Sequence, residues 1–364
     1  MKFKGREMEK WQVTKLMTNW LIYVVIVLIF LSTTVAVLLK DKNSEADYWQ
    51  SSLTESQDVM EEVAARSGDA VNVTVGTYIE NLKEISLKSS YYRLVAQIWF
   101  RWEGDPELDM KNNFRVYKGL VNKTEVIKDY HENGVNYQLV RCDVTVTKNY
   151  WTRRFPLESH QLRMYITSNY PVEKVVFSDD HENSGLNQNL SIAGYNIRQH
   201  TTGITNIKQV GTHGDPELTD DLIIPEHMTA IEITRDGWGL FVKCFIALVG
   251  TITWVLITLY LNTYHHIDPL SMIPAALFGT VSNIMVGANL LPDALTLGLL
   301  EYVNMFGIMT ILSVTMTIIN VNRIRNKYQD REFAGFVGRI MFSTILIFTL
   351  VGNIILPLSA YMIP

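Results

Sequence analysis

Four long apolar segments in the last third of the chain restrict its possible folds more than any other feature. They cover residues 240–261, 269–291, 297–320 and 336–361. An α-helix rises about 1.5 Å per residue, so about 20 apolar residues cross the roughly 30 Å hydrocarbon core of a bilayer. Backbone groups in that core find no water to bind, so a segment of this length must be helical. The sequence therefore predicts four transmembrane helices within residues 237–364.

A fifth apolar segment lies near the N-terminus. Residues 20–39 carry no charge and follow a stretch rich in Lys and Arg. The segment is longer than the core of a usual signal peptide, and no small-residue cleavage pattern follows it. We therefore interpret residues 1–40 as a cytoplasmic segment with an uncleaved anchor, rather than as a cleaved signal. Basic residues also occupy 323–331, and since Lys and Arg favour the cytoplasmic side, we expect a multi-pass protein of the plasma or inner membrane with its N-terminus in the cytoplasm.

Between these apolar regions the hydrophobic period changes. Residues 41–70 are polar and predict a helical connector, whereas residues 71–236 contain runs in which every second residue is apolar. A period of two places one side of a strand in a core. These runs lie at 71–77, 94–102, 140–146, 162–166 and 228–234. The pattern predicts an antiparallel β-sandwich, which the topology above places outside the membrane, in the extracellular space or periplasm.

Composition and motifs exclude several functions. The net charge is −5 and no basic cluster is present, which argues against a nucleic-acid partner. The two cysteines, Cys142 and Cys244, fall in different regions, so they provide no disulfide framework. Nucleotide-binding glycine motifs, the G-x-S-x-G motif and the H-E-x-x-H zinc motif are all missing from the sequence. We therefore do not expect an enzyme.

The segment 268–291 differs in composition from a lipid-facing helix. Asp268 is a candidate N-cap with Pro269 at the first helical position, and Pro274 is expected to kink or widen the helix. Small residues along the segment let helices approach each other closely. Its apolar residues at alternating steps of four and three are Leu270, Pro274, Leu277, Val281 and Ile284. This stripe is typical of a helix facing a shared axis, although a buried helix in a monomeric bundle would also fit.

Several motifs together resemble the pentameric ligand-gated ion channel superfamily, the Cys-loop receptors and their bacterial relatives. Residues 71–102 resemble the family's first two strands, 151–162 resemble its F-P-F-D loop, and 276–283 with 290–293 resemble the pore helix and its exit. The resemblance covers about residues 70–361. Lys148 and Leu162 stand where the family's bridging cysteines would be, as in bacterial members that lack the disulfide, and the N-terminal anchor is an addition. The resemblance implies a homopentamer with an extracellular β-sandwich followed by a four-helix transmembrane bundle.

The resemblance also implies roles for individual residues. Arg235 and Glu158 would couple the sandwich to the membrane helices, although a static ion pair is an alternative. The coupling region would further include Phe155, Pro156 and Pro292. The stripe from Leu270 to Ile284 would line the pore and close it by dewetting, and Asp268 at its cytoplasmic mouth would favour cations, although simple helix capping also explains it.

Ligand recognition is less defined by the sequence. The resemblance implies a site between neighbouring sandwiches, with Phe100, Trp102 and Tyr170 in the matching segments. The loop 209–222 contributes no aromatic residue to such a site, and it is acidic instead. Its carboxylates and those of a second loop could bind Ca²⁺ as a modulator, or they could simply be solvated. They are Asp179, Asp180, Glu182, Asp215, Glu217, Asp220 and Asp221.

Together with the apolar segments, the resemblance thus implies a pentameric channel in the lipid bilayer that opens in response to an extracellular small ligand or ion and conducts small ions, with a preference for cations. No other cofactor is expected. The apolar stripe has little polar lining, so the alternative is a channel-like membrane sensor or scaffold that does not conduct.

Overall fold

The computed structural model describes residues 2–3, 6–51, 57–211, 221–236, 238–292 and 297–361. The chain divides into two compact units. One contains residues 45–151 and 159–236, and the other contains 1–44, 152–158 and 237–364. The first is called the β unit and the second the helical unit below.

The β unit is built mainly from strands, most of which carry the predicted alternation. Two short strands near the N-terminus, β1 (Lys2–Phe3) and β2 (Arg6–Glu7), pair with each other and belong to the helical unit. All the other strands belong to the β unit. They are β3 (Val71–Ser86), β4 (Tyr91–Glu103), β5 (Phe114–Val116), β6 (Gly119–Glu132), β7 (Val135–Thr147), β8 (Ser159–Ser168), β9 (Val175–Asp179), β10 (Gly185–Leu186), β11 (Tyr195–Gln209) and β12 (Leu222–Arg235).

These strands form two sheets. The larger has the order β10-β3-β4-β7-β6, with β9 also paired to β3, and the smaller has the order β11-β12-β8-β5. Pairing is antiparallel except where β9 and β10 meet β3. One buried cluster contains side chains of both sheets, such as Ile98 and Val140 from the larger and Leu162 and Ile231 from the smaller. The two sheets therefore share one hydrophobic core.

The five predicted runs are all strands and are longer than their alternation indicated. The sequence did not predict β6 or β11, because neither has a consistently buried side. Strand β6 is exposed along almost its whole length, and most of β11 is half-buried.

Six helices complete the described chain. They are α1 (Lys10–Ser51), α2 (Gln57–Arg66), α3 (Gly239–Tyr264), α4 (Ile273–Leu290), α5 (Leu299–Lys327) and α6 (Arg331–Tyr361). Five regions are long and apolar enough to span a membrane: Lys10–Asp41, Gly239–Tyr264, Leu270–Leu290, Leu299–Lys327 and Arg331–Tyr361. Together with the sheets, these helices fit a membrane protein with a β domain.

One sequence prediction about helix boundaries needs correction. The apolar span ends at Asp41, close to the expected end of the anchor at residue 40, but the connector is not a separate helix from its start: α1 continues without a break to Ser51, and α2 follows from Gln57. No Pro or Gly interrupts residues 10–51, so nothing in the backbone chemistry ends the helix where the apolar run stops.

Close contacts organise the helical unit. Helix α5 contacts α3, α4 and α6, and α3 also contacts α4 and α6. Small residues allow this proximity, because a Cβ added at Gly307 of α5 would lie 2.6 Å from Cδ1 of Leu248 in α3. In a membrane, where the hydrophobic effect between helices is weak, such close packing is a main source of association.

Candidate functional site

The start of α4 differs from the sequence prediction. A 3₁₀ turn at Leu270–Met272 precedes the helix, which begins at Ile273 and not at Pro269. Asp268 still acts locally as a cap, because its Oδ1 accepts a hydrogen bond of 3.3 Å from the backbone N–H of Leu270. Pro274 lies in the first turn of α4, where its missing N–H removes no helical hydrogen bond. The predicted kink at Pro274 was therefore wrong.

One side of α4 is buried by helices of the same chain. Nδ2 of Asn283 donates a 2.8 Å hydrogen bond to Oδ1 of Asn304 in α5, and both side chains are buried. Two glycines allow close contact on this side, since a Cβ at Gly279 would meet Thr251 of α3 and one at Gly287 would meet Leu300 of α5. The small and polar residues that distinguished this segment in the sequence thus include those that bind its own neighbours.

The predicted stripe lies on the other side of α4. Leu277, Val281 and Ile284 are 43%, 54% and 42% exposed, Pro274 is exposed, and Leu270 is half-buried. An adjacent row at the same spacing is also exposed and contains polar side chains. Its members are Ser271, Ala275, Phe278, Ser282, Met285 and Asn289. The surface that α4 presents to the outside of the chain is therefore apolar with polar residues interspersed.

The loop 152–158 belongs to the helical unit and contains the F-P-L-E motif. Phe155, Pro156 and Glu158 are all buried there. The backbone carbonyl of Arg153 accepts a 2.6 Å hydrogen bond from the N–H of Leu299, the first residue of α5. A Cβ at the neighbouring Gly298 would lie 2.6 Å from the same carbonyl oxygen. The loop is thus attached directly to the start of α5, with no room for a larger residue.

A cavity of about 360 Å³ opens beside this attachment. Its wall includes Thr152 of the loop, Pro292 after α4, and Glu301 and Asn304 of α5, together with apolar residues of both helices. Pro292, which we expected in the coupling region, therefore lies next to the F-P-L-E loop within one unit.

Arg235, the other predicted coupling residue, ends β12 in the β unit. Its guanidinium carbon lies 4.1 Å from the centre of the Tyr195 ring, a cation–π contact. Glu158 and Arg235 belong to different units, so their pairing stays a prediction.

The three aromatic residues expected at a ligand site have different environments. Phe100 is fully buried and packs on Phe114 with 5.5 Å between ring centres, and Trp102 is almost fully buried, with its Nε1 donating to the carbonyl of Asp105. Both are core residues, because the alternation of β4 directs them inward, and neither offers a surface to a ligand from solvent. Tyr170 is half-buried, with Nζ of Lys174 lying 4.0 Å from its ring centre, and its ligand role stays a prediction.

The acidic residues considered for Ca²⁺ serve other contacts in the described chain. Oδ1 of Asp179 pairs with Nε2 of His227 at 2.9 Å, and Oδ2 accepts from Thr202 at 2.7 Å. Burial acts to raise the pKa of Asp179, but these hydrogen bonds outweigh it and hold the pKa below its usual value. Asp180 accepts a 2.9 Å hydrogen bond from Nε1 of Trp99. Among the residues described, no three His, Cys, Asp or Glu side chains lie close enough to hold a metal ion.

Glu182 is exposed. The remaining loop carboxylates of that prediction, Asp215, Glu217 and Asp220, lie outside the described residues, and Asp221 contacts Lys208 at 3.5 Å.

Sequence reasoning missed a pair of buried titratable residues in β12. His227 is inaccessible to solvent, and its neighbour Glu226 is 5% exposed. Burial raises the pKa of Glu226 to about 7, although a 2.8 Å hydrogen bond from Thr205 acts in the opposite direction. The sequence did contain a signal for this pair: Glu226 and His227 lie inside a strand that is apolar on both sides. Charged side chains are costly to bury and are therefore uncommon in such a strand.

No model of a known protein family matches the chain, and no curated protein matches it. The fold and the site alone therefore support a membrane protein with a β domain and an unusual exposed helix surface on α4.

Proposed function

We propose that the chain is one subunit of a homopentameric, ligand-gated ion channel in the plasma or inner membrane. In this proposal the two sheets form an extracellular or periplasmic β-sandwich, the helices α3–α6 form the transmembrane bundle, and five copies of α4 surround the pore. The sequence motifs supply the class of channel. The geometry of α4 supplies the strongest structural support.

The observation that carries the proposal is the division of α4 into two sides. Its buried side already contacts α3 and α5, and its exposed side has no partner among the described residues. The composition of this exposed side does not fit a surface that faces only lipid, because it includes polar side chains such as Ser282 near the middle of the helix. In the hydrocarbon core a polar side chain is expected to face a helix partner or a water-filled cavity. A pore formed by several copies of the chain provides such a water-filled cavity.

A second unpartnered surface supports self-association. Strand β6 is the edge of the larger sheet, spans Gly119–Glu132 and exposes apolar side chains. Leu120, Val126, Ile127 and Tyr130 are each more than two-fifths exposed. A long edge strand with exposed apolar residues favours association with another chain. A ring of identical subunits can cover an exposed edge strand of this kind.

The pore would close by excluding water. Five Leu277 side chains, with the rings of Val281 and Ile284, form a constriction that ions cannot wet when it is narrow. Five Asp268 carboxylates at the cytoplasmic mouth would favour cations. Arg235 and Glu158 would transmit movement of the sandwich to α3 when an extracellular ligand or ion binds.

Ion flux from liposomes tests this proposal. The protein is reconstituted as wild type, as Leu277→Ser and as Leu312→Ser, the last being the same substitution at a 56% exposed leucine of α5. A hydroxyl in the narrow ring favours wetting, so we expect flux with Leu277→Ser and none above wild type with Leu312→Ser. Equal behaviour of all three, in protein with the mass of a pentamer, would contradict a pore on α4. That result would favour the second candidate function, a sensor or scaffold that does not conduct ions. The apolar character of the stripe supports this second candidate.

A further inference from the structure

The N-terminal helix α1 packs along the helical unit through a regular stripe. Its contacts run the length of the helix: Trp11 stacks on Tyr328 with 4.8 Å between ring centres, and Nε1 of Trp20 donates a 3.1 Å hydrogen bond to Thr344. The buried side chains begin at Leu16 and, from Tyr23 onward, recur every three or four residues: Tyr23, Val27, Leu31, Thr34, Leu38 and Asp41. The last member of this mainly apolar series is a carboxylate.

Asp41 is bound there by Arg153 of the loop 152–158, and the neighbouring Arg154 also lies within electrostatic range. The Asp41 side chain is 2% exposed, and its Oδ1 lies 2.9 Å from Nη1 of Arg153. Its Oδ2 has no hydrogen-bond partner among the described residues. A buried carboxylate is strongly unfavourable unless a cation is well placed beside it. Because Asp41 is buried at the end of this stripe on α1, it restricts the position of Arg153.

Arg153 in turn restricts the start of α5. Its carbonyl accepts the hydrogen bond from Leu299, and Gly298 lies against its backbone. The same short loop contains Phe155 and Glu158. One side chain of α1 is thus connected, through one arginine, to the loop assigned to coupling and to the helix that packs beside α4.

We propose that α1 is a built-in regulator of gating and that Asp41 is its positioning residue, which sets the opening equilibrium by fixing Arg153 and the loop 152–158 against the start of α5. This inference rests on the proposed channel function. If Asp41 only stabilised the fold, removing its charge would lower thermal stability without changing how often assembled pores open.

Flux from liposomes in the Leu277→Ser background tests the inference, because that background opens without a known ligand. The variants are Asp41→Asn, Arg153→Gln, both together, and Arg153→Lys, compared at equal amounts of assembled protein. Asp47→Asn, at an exposed carboxylate on the same helix, is the matched control. If Asp41→Asn does not assemble, the flux rates of Arg153→Gln and Arg153→Lys are compared instead, because these variants change the other residue of the same ion pair.

We expect Asp41→Asn and Arg153→Gln each to change the flux rate by about threefold or more. We also expect the second substitution to add almost nothing to the first, and Arg153→Lys and Asp47→Asn to leave the rate close to the background. The direction of the change would indicate whether the contact favours the open or the closed pore.

Flux that is unchanged in all variants, or effects that simply add, would overturn the role of Asp41 and leave the channel proposal intact. Absence of flux in the Leu277→Ser background itself would overturn both.

Discussion

Replacing Glu226 by Gln should stabilise the protein at neutral and alkaline pH and have little effect in acid. The carboxyl lies in the central part of β12, with Thr205 of β11 donating to Oε1 at 2.8 Å. Its Oε2 is buried and has no hydrogen-bond partner within the described chain. Tyr165 of β8 also lies within electrostatic range, since the charge of Glu226 contributes to raising the pKa of that tyrosine. Gln has the shape of the protonated acid but cannot ionise.

The size of the effect follows from the pKa of Glu226, which burial raises from 4.5 to about 7. A raised pKa in the folded state contributes stability below pH 4.5 that is lost as the pH rises through 7. At about 1.4 kcal/mol per pH unit, a shift of about 2.5 units corresponds to about 3 kcal/mol lost by about pH 8. With an unfolding entropy of about 2.1 cal/mol/K per residue, that is roughly 4 °C in Tm for a chain of 364 residues.

Thermal unfolding of the full chain in detergent, followed by intrinsic fluorescence from pH 4.5 to 8, measures this difference. We expect wild type and Glu226→Gln to unfold at similar temperatures in acid and to diverge as the pH rises, with the variant more stable. Glu232→Gln, at a half-buried glutamate of the same strand, is the matched control and should follow the wild type. A constant difference between wild type and Glu226→Gln at every pH would refute the argument, because it would show that Glu226 does not titrate in this range.

Two further predictions concern the helical unit. Asn304→Ala should lower the free energy of unfolding by about 1 kcal/mol, because it leaves the buried amide of Asn283 without its partner, and the loss should not add to that of Asn283→Ala in a double-mutant cycle. Asp268→Asn in the Leu277→Ser background should reduce the preference for cations, measured as the reversal potential in a salt gradient. An unchanged reversal potential would mean that Asp268 serves as a helix cap and not in selectivity.

Period and length made much of the fold predictable. The five apolar segments are helices that could span a membrane, and the five alternating runs are strands, because both patterns come from burying one side of a regular element. Strand β6 was not predicted because nearly all its side chains are exposed, so no alternation of apolar and polar residues arises. Pro274 was misjudged because the start of a helix depends on turn geometry, which a hydrophobic pattern does not specify.

The candidate site was predictable only where neighbouring residues in the sequence determine it. The stripe on α4 follows from spacing, and its members from Pro274 to Ile284 are exposed within the chain, while their role in a pore stays a prediction. Alternation in β4 had already placed Phe100 and Trp102 among inward residues, so the ligand role inferred from the resemblance conflicted with the pattern itself. The contact of Asp41 with Arg153 joins residues 112 positions apart and has no local signature.

Modification of a single cysteine in α4 tests the central claim most directly. Val281→Cys in the Leu277→Ser background is exposed to a charged, water-soluble thiol reagent during a flux measurement, with Ile246→Cys on the exposed surface of α3 as control. Cys142 and Cys244 are buried and should remain unmodified. We expect the reagent to block flux through the Val281→Cys protein and to leave the Ile246→Cys protein unaffected. Flux that continues unchanged after confirmed modification of Val281→Cys would contradict a pore lined by α4.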